Sequence, residues 1–362
     1  MRCLASLLLL TLAGCAHRGE SVNPDSPAVG LERLELTDPT RRAWGSDAPR
    51  PLVTSIWYPA PRGTSMVEIG IPPHRPIFVG GLAARSAPVR SGGPFPLIVM
   101  SHGTGAAGMQ MMWLGRELAG RGYIVAAVDH HGNTAAETQY DPRGFMLPWE
   151  RARDITEIIN QLTAHPQFAP HIDAAQIGAV GFSLGGYTAV ALAGGRTDLT
   201  RLQAFCDGPQ RDATCDAQLE YPEAAADFEK LAAKDPSVAM RRAESEGDFS
   251  DSRIRSVVLL APALGQAFSP ESLANIQVPV LVIAGEDDRI APSRTNAGPL
   301  AEWIPHAEFK SMRGANHYAF LNRCDRKRRR VVDLCGDGAT PRHQVHAETI
   351  ELVANHFATL HR

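Results

Sequence analysis

Five short, almost unbroken apolar runs recur along this chain: PLIVMSHG (96–103), GYIVAAVDHHG (122–132), QIGAVGF (176–182), RSVVLLAP (255–262) and VPVLVIAGED (278–287). A strand with one face in water alternates apolar and polar residues, so runs like these suit strands covered on both faces. Between them lie MQMMWLGRELAG (109–120), PWERARDITEIINQLTAH (148–165) and SLGGYTAVALAGG (183–195), whose apolar residues have helical spacing. HAETIELVANHFATL (346–360) closes the chain as an amphipathic helix. Alternating buried strands and helices predict a mostly parallel sheet with helices on both faces. LVTSIWYPA (52–60) reads as an earlier strand, 61–94 as hairpin and loop, and AEFKSM (307–312) as the last strand. Residues 196–253 break the rhythm: they are polar, charged and helix-prone, and read as an inserted cap. There are no internal repeats, and one domain with an insertion fits better than two domains.

With 44% hydrophobic and 21% charged residues in 362, a sizeable core is expected. The net charge of -3 argues against nucleic acid as the main partner. The first residues read as an export signal, with Arg2 followed by an apolar stretch from Leu4 to Leu12 too short to span a bilayer permanently. Its ending, Leu12-Ala13-Gly14-Cys15, resembles a bacterial lipobox, so residues 1–14 are expected to be a signal peptide and Cys15 a lipidation site. Ala16 stands where an aspartate would signal inner-membrane retention, which favours the outer membrane in a Gram-negative host. Residues 15–50 then read as a tether, and 51–362 as the folded domain. Once Cys3 leaves with the signal and Cys15 carries lipid, Cys206, Cys215, Cys324 and Cys335 remain as two close pairs. In an oxidising compartment two short-loop disulfides are the simplest expectation; free thiols or a crossed pairing are the alternatives. Neither pair has the C-x-x-C spacing of a zinc site.

The stretch AVGFSLGGYTAV (179–190) sets Ser183 between glycines at a strand-to-helix junction. Such a turn holds a serine out on a tight elbow, where neighbours without side chains let the helix pack close to the strand. A serine hydroxyl becomes a useful nucleophile only when a histidine takes its proton, and a carboxylate orients that histidine. Downstream, VPVLVIAG ends in Glu286-Asp287-Asp288, and AEFKSM is followed by Arg313-Gly314-Ala315-Asn316-His317. Both the chain order and the placement at strand ends suit a Ser–Asp–His triad, with Asp287 or Asp288 as the acid and His317 as the base.

With these motifs the chain resembles the α/β-hydrolase superfamily, and within it the bacterial branch related to platelet-activating-factor acetylhydrolases, often labelled predicted dienelactone hydrolases. The stretches IWYPA, SHGTG, AAVDHHGNT, GFSLGGYTA, VPVLVIAGEDD and GANHYAFL carry the likeness. True dienelactone hydrolases use cysteine where this elbow has serine, so that label does not set the substrate. The resemblance implies an α/β-hydrolase fold and no metal or cofactor. It favours Asp288 over Asp287, because Gly285, Asp288 and Pro292 match the family's spacing. The oxyanion donors expected are the backbone N–H of Leu184, next to the serine at a helix start, and, by the resemblance, that of Thr104. The substrates implied are short-chain acyl esters or platelet-activating-factor-like phospholipids, with the membrane met through the lipid anchor.

Two other readings compete. GTGAAG (103–108) is a G-x-G-x-x-G after a strand, and Asp129 ends the next strand as a dinucleotide-binding fingerprint would have it. Against it, Ser101-His102 leads into the loop and at least one strand precedes the unit. The second is a catalytically silent hydrolase-fold binding lipoprotein. His102, His130 and His131 also sit at strand ends, where turn and packing roles are expected. The basic run from Arg326 to Arg330, nine residues beyond His317, reads first as a solvated loop; facing the site, it would draw phosphate headgroups.

Overall fold

The computed structural model describes residues 27–327 and 333–361; the signal-like run, Cys15 and Arg328–Arg330 lie outside the described residues. The strands are β1 (Ala28–Arg42), β2 (Pro49–Ala60), β3 (Val67–Ile71), β4 (Phe78–Arg85), β5 (Phe95–Ser101), β6 (Ile124–Val128), β7 (Ile172–Phe182), β8 (Ile254–Leu260), β9 (Val280–Gly285), β10 (Ala307–Met312) and β11 (Arg323–Cys324). The helices are α1 (Met112–Gly120), α2 (Pro142–Met146), α3 (Glu150–Leu162), α4 (Leu184–Leu192), α5 (Leu199–Asp207), α6 (Ala224–Ala232), α7 (Pro236–Ala243), α8 (Pro270–Ala274), α9 (Ala297–Trp303) and α10 (Arg342–Phe357). One sheet runs in the order β10-β9-β8-β7-β5-β6-β2-β1-β4-β11, with β3 beside β4. From β10 to β6 every pairing is parallel, whereas β2 joins β6, and β1 joins β2, antiparallel.

The apolar runs are unbroken because each strand serves two cores. Leu97, Val99, Ala179, Leu259 and Val282 pack on one face with Ile155 and Ile158 of α3 and Tyr187 of α4. Their neighbours Ile98, Met100, Val180, Val258 and Ile283 pack on the other with Met112 of α1 and Val353 of α10. Successive side chains leave a strand on opposite sides, so both sets must be apolar.

The structure corrects the tether reading of residues 15–50 over its described part, from residue 27 onward. Ala28 to Arg42 is a full strand, paired with β2 from Ala28↔Ala60 to Asp38↔Arg50. From Leu34 its sequence LELT alternates apolar and polar residues, as a strand with one wet face should, while Leu31 faces the other core. The Ser, Pro, Arg and Asp content around it masked that period. Within 196–253, α5, α6 and α7 lie between α4 and β8. Phe228 and Val238 of this insertion form a small separate core with Leu147 and Trp149. Disulfides join Cys206 to Cys215 and Cys324 to Cys335, so the cysteines pair locally.

Strand β1 carries a direct test. Leu31 is buried in the second core, so Leu31→Ala should cost about 2–4 kcal/mol of stability in urea unfolding. A tether residue would cost nothing measurable.

Candidate active site

The functional side chains gather at the C-terminal ends of the parallel strands. At the end of β7 the chain turns into α4 through Ser183, which has φ 53° and ψ −119°, a conformation L-residues rarely adopt. Three backbone hydrogen bonds hold it there. Ser183 N–H donates to Leu260 O (3.0 Å), and Ser183 O accepts from Gly186 N–H (2.8 Å) and Ala263 N–H (3.0 Å). The flanking glycines are steric requirements: a Cβ on Gly181 would collide with the Gly185 carbonyl, and one on Gly185 with the Ser101 carbonyl. Helix α4 thus lies against β7 and β5 more closely than any side chain permits.

From this elbow Ser183 Oγ reaches His317 Nε2 at 3.0 Å, and His317 Nδ1 reaches Asp288 Oδ2 at 2.7 Å. The other carboxylate oxygen, Asp288 Oδ1, accepts the amides of Ile290 (2.9 Å) and Ala291 (2.8 Å). With Oδ2 acting only as acceptor, the proton sits on His317 Nδ1 and leaves Nε2 free to accept from the serine. Asp287 is exposed and points its side chain elsewhere, so Asp288 is the carboxylate that meets the histidine.

The loop after β5 closes over the serine. The Cβ position of Gly103 is 3.1 Å from Ser183 Cβ. Gly105 N–H donates to Asn133 Oδ1 and Ala106 N–H to Gly103 O, and the Thr104 amide takes no part in these bonds. The Leu184 amide stands in the first turn of α4, where amides have no partner within the helix.

A buried charge network, which the sequence reading missed, lies behind this loop. His130 N–H donates to His102 Nε2 (3.1 Å), so His102 carries its proton on Nδ1 and donates to Gly103 O (2.7 Å). Arg151 Nη2 approaches the same oxygen at 3.4 Å. Carbonyl and amide point opposite ways within the plane of a trans peptide, so holding the Gly103 carbonyl toward these donors points the Thr104 N–H away from them. Asp154 anchors the network. Its Oδ1 accepts from Arg41 Nη2 and Arg50 Nε, both at 2.7 Å, and its Oδ2 from Arg50 Nη2 and His130 Nδ1, both at 3.0 Å. Burial pushes the Asp154 carboxyl up, but Arg50, Arg41 and the His130 hydrogen bond outweigh it and hold the carboxyl well below its ordinary range. Burial, helped by the Arg50 charge, lowers the Arg151 guanidinium to about 9, against the pull of Asp154.

Ser101 Oγ lies 2.9 Å from His130 Nε2, so Ser101, His130 and Asp154 repeat the Ser–His–Asp order of contacts inside the core. They cannot repeat its chemistry. Burial and the Arg151 charge lower His130 to about 3, far too weak a base to take a serine proton near neutral pH. One signal of this network was present in the sequence. On α3, Arg151 shares the apolar stripe of Ile155, Ile158 and Leu162, a place where a charge needs a buried partner.

The other expectations resolve as follows. Asp129 is buried and accepts the Gly108 amide (2.8 Å), so the carboxylate of the dinucleotide reading is spent closing its own loop. His131 accepts from Trp44 N–H (2.8 Å) and faces Glu137, a turn role. Among the described residues no group of three His, Cys, Asp or Glu is arranged to hold a metal. Arg326 and Lys327 border a cavity of about 500 Å³ with Arg323, Glu68 and Asp325; Ser183, Asp288 and His317 do not line it.

The alpha/beta hydrolase family matches residues 98–333. Platelet-activating factor acetylhydrolases are similar over one short stretch. That of Cavia porcellus is 46% identical over 55 residues, 15% of this chain and 13% of its own. That of Bos taurus is 42% identical over 67 residues, 18% of this chain and 15% of its own, so the match spans only a small part of either relative. The solved structure of a ferulic acid esterase from Streptomyces cinnamoneus superposes with a TM-score of 0.59 at 19% identity, over 93% of this chain and 91% of that one. That likeness concerns the fold.

Asp154→Asn should be strongly destabilising, by about 3–5 kcal/mol in urea unfolding near pH 7, because Arg50 would lose its buried counter-charge and Arg41 one of the three carboxylates it faces. The sign with pH follows from the lowered carboxyl. Its contribution is complete above the ordinary carboxylate range and is lost as pH falls toward the folded-state value, so the variant's deficit should shrink on acidification.

Proposed function

The chain belongs to the alpha/beta hydrolase family, and on that premise we propose that it is a serine carboxylic-ester hydrolase working through an acyl-enzyme on Ser183. The observation that carries the reading is the continuous contact from Ser183 Oγ through the His317 ring to Asp288. In the first half-reaction Ser183 Oγ attacks the ester carbonyl carbon while His317 Nε2 takes the hydroxyl proton. The carbonyl oxygen becomes an oxyanion held by the N–H groups of Thr104 and Leu184. When the tetrahedral intermediate collapses, the bond to the alcohol breaks and His317 returns the proton to the departing oxygen. In the second half-reaction His317 deprotonates a water that attacks the acyl-enzyme, and the same steps release the acid and restore Ser183. Asp288 keeps the His317 ring in the required tautomer throughout and stabilises the imidazolium that forms in each half.

The substrates of this reading are short-chain acyl esters or phospholipids like platelet-activating factor, supported by the names of the curated relatives. Export as a lipoprotein anchored through Cys15 to the outer membrane belongs to the same proposal. It is supported by the Leu12-Ala13-Gly14-Cys15 ending and by two disulfides of the kind an oxidising compartment sustains.

A p-nitrophenyl ester series from acetate to palmitate measures activity and acyl length together. Ser183→Ala should lower kcat by more than about a thousandfold and abolish labelling by a fluorophosphonate. Asp288→Asn should lower kcat about 10³–10⁴-fold with KM little changed. Full activity in Ser183→Ala would overturn the mechanism.

A further inference from the structure

The cap brings one carboxylate to the mouth of this site. Gly105, the second residue after Gly103 in the loop over Ser183, has φ 58°, and its Cβ position lies 2.7 Å from Cγ and 2.9 Å from Cβ of Glu220. Glycine is required there both by the left-handed backbone and by the Glu220 side chain lying on it. Tyr140 reaches the same residue from the loop after β6, its hydroxyl donating to Gly105 O (3.0 Å). Tyr140 stacks with Tyr221, the neighbour of Glu220, at 6.5 Å between ring centres. Partial burial pushes the Glu220 carboxyl above its usual range, against the pull of its own backbone amide and of His317. The charge of Glu220 therefore acts on His317 on one side while its stem touches the Thr104–Gly105 loop on the other. A substrate carbonyl bound between Ser183 and that loop has this carboxylate beside its path.

Two acids on neighbouring segments are neutralised locally. Asp141 pairs with Arg143 (2.6 Å) and Asp227 with Lys230 (2.8 Å). Glu220 keeps part of its surface in solvent, and His317 acts on it electrostatically once that ring takes up a proton. Its negative charge is thus offered to whatever enters.

Resting on the ester-hydrolase reading above, we propose that Glu220 sets the charge preference of the site, favouring esters with a cationic group on the alcohol side and disfavouring those with an anionic group near the scissile bond. Of the two substrate classes in that reading, this selects short-chain acyl esters over phospholipids with their anionic phosphate. A unit charge a few ångströms from a substrate charge at a half-exposed mouth changes its binding by a small multiple, and added salt weakens the effect.

Three aryl acetates of matched shape test this on the full chain: phenyl acetate, 4-(trimethylammonio)phenyl acetate and 4-sulfophenyl acetate. Each kcat/KM is normalised to that of neutral phenyl acetate for the same protein, which removes any general effect of a substitution on folding or chemistry. In Glu220→Gln the cationic-to-anionic ratio should fall about tenfold, in Glu220→Lys it should fall further, and in the unaltered protein it should shrink with rising NaCl. A ratio unchanged in both variants, with all three esters hydrolysed, overturns the role of Glu220 and leaves the hydrolase reading intact. If the unaltered protein hydrolyses none of the three, and Ser183 takes up no fluorophosphonate, the hydrolase reading fails and this proposal falls with it.

Discussion

The placement of α4 against the sheet is the constraint on which the site depends. Gly181 and Gly185 leave no room for a side chain between the helix, β7 and the Ser101 carbonyl of β5. That approach forces the intervening residue into a positive φ, and Ser183 accepts the strain because Leu260, Ala263 and Gly186 fix its backbone on both sides. Two consequences follow together. The serine oxygen is lifted off the end of the sheet toward His317, and the next amide, Leu184, becomes the first of a helix. The serine and the amide to which the proposed mechanism gives the roles of nucleophile and oxyanion donor are thus set by one packing contact. A methyl group at either glycine would disturb both at once.

The two Ser–His–Asp chains show what residue type alone does not decide. Ser101, His130 and Asp154 make contacts of 2.9 and 3.0 Å, within hydrogen-bond range like the 3.0 and 2.7 Å of Ser183, His317 and Asp288. The difference lies in the company kept. Asp154 faces Arg41 and Arg50, and Arg151 stands close enough to help drive His130 down to about 3. In that field a histidine is only a neutral strut. Asp288, by contrast, spends its second oxygen on two neutral amides and has no arginine contact, so its charge remains available to the imidazole.

How much of this was legible in the sequence depended on how local each signal was. The parallel strands were readable because burial on both faces leaves unbroken apolar runs, and Ser183, His317 and the Asp287–Asp288 pair because each sits at a strand end with its own flanking pattern. The choice of Asp288 within that pair came from the family's spacing. Strand β1 was lost because one face is wet: LELT spreads its signal over alternate positions, within a stretch whose composition suggests a linker. The Asp154 network draws on residues 41, 50, 130, 151 and 154, which no sequence window contains. Glu220 was illegible for the same reason, since nothing within the cap indicates that it rests on Gly105.

The cap is also tied to the acid side of the site. The segment closed by the Cys206–Cys215 disulfide includes Asp212, which accepts hydrogen bonds from Thr295 Oγ1 and from Asn296 Nδ2 (3.4 Å). Those residues follow directly on the turn in which Ile290 and Ala291 hold Asp288. Asn296 Oδ1 in turn accepts the Leu264 amide, one residue beyond Ala263, whose own amide holds the Ser183 carbonyl. A disulfide that shortens the freedom of residues 206–215 therefore steadies a path from the cap to both ends of the Ser183–His317–Asp288 chain. The insertion that presents Glu220 at the mouth is braced against the same loops that align the reacting groups. On the proposed mechanism, a shift of the cap would alter both what enters the site and how well the acid is held, so the insertion would couple substrate preference to turnover.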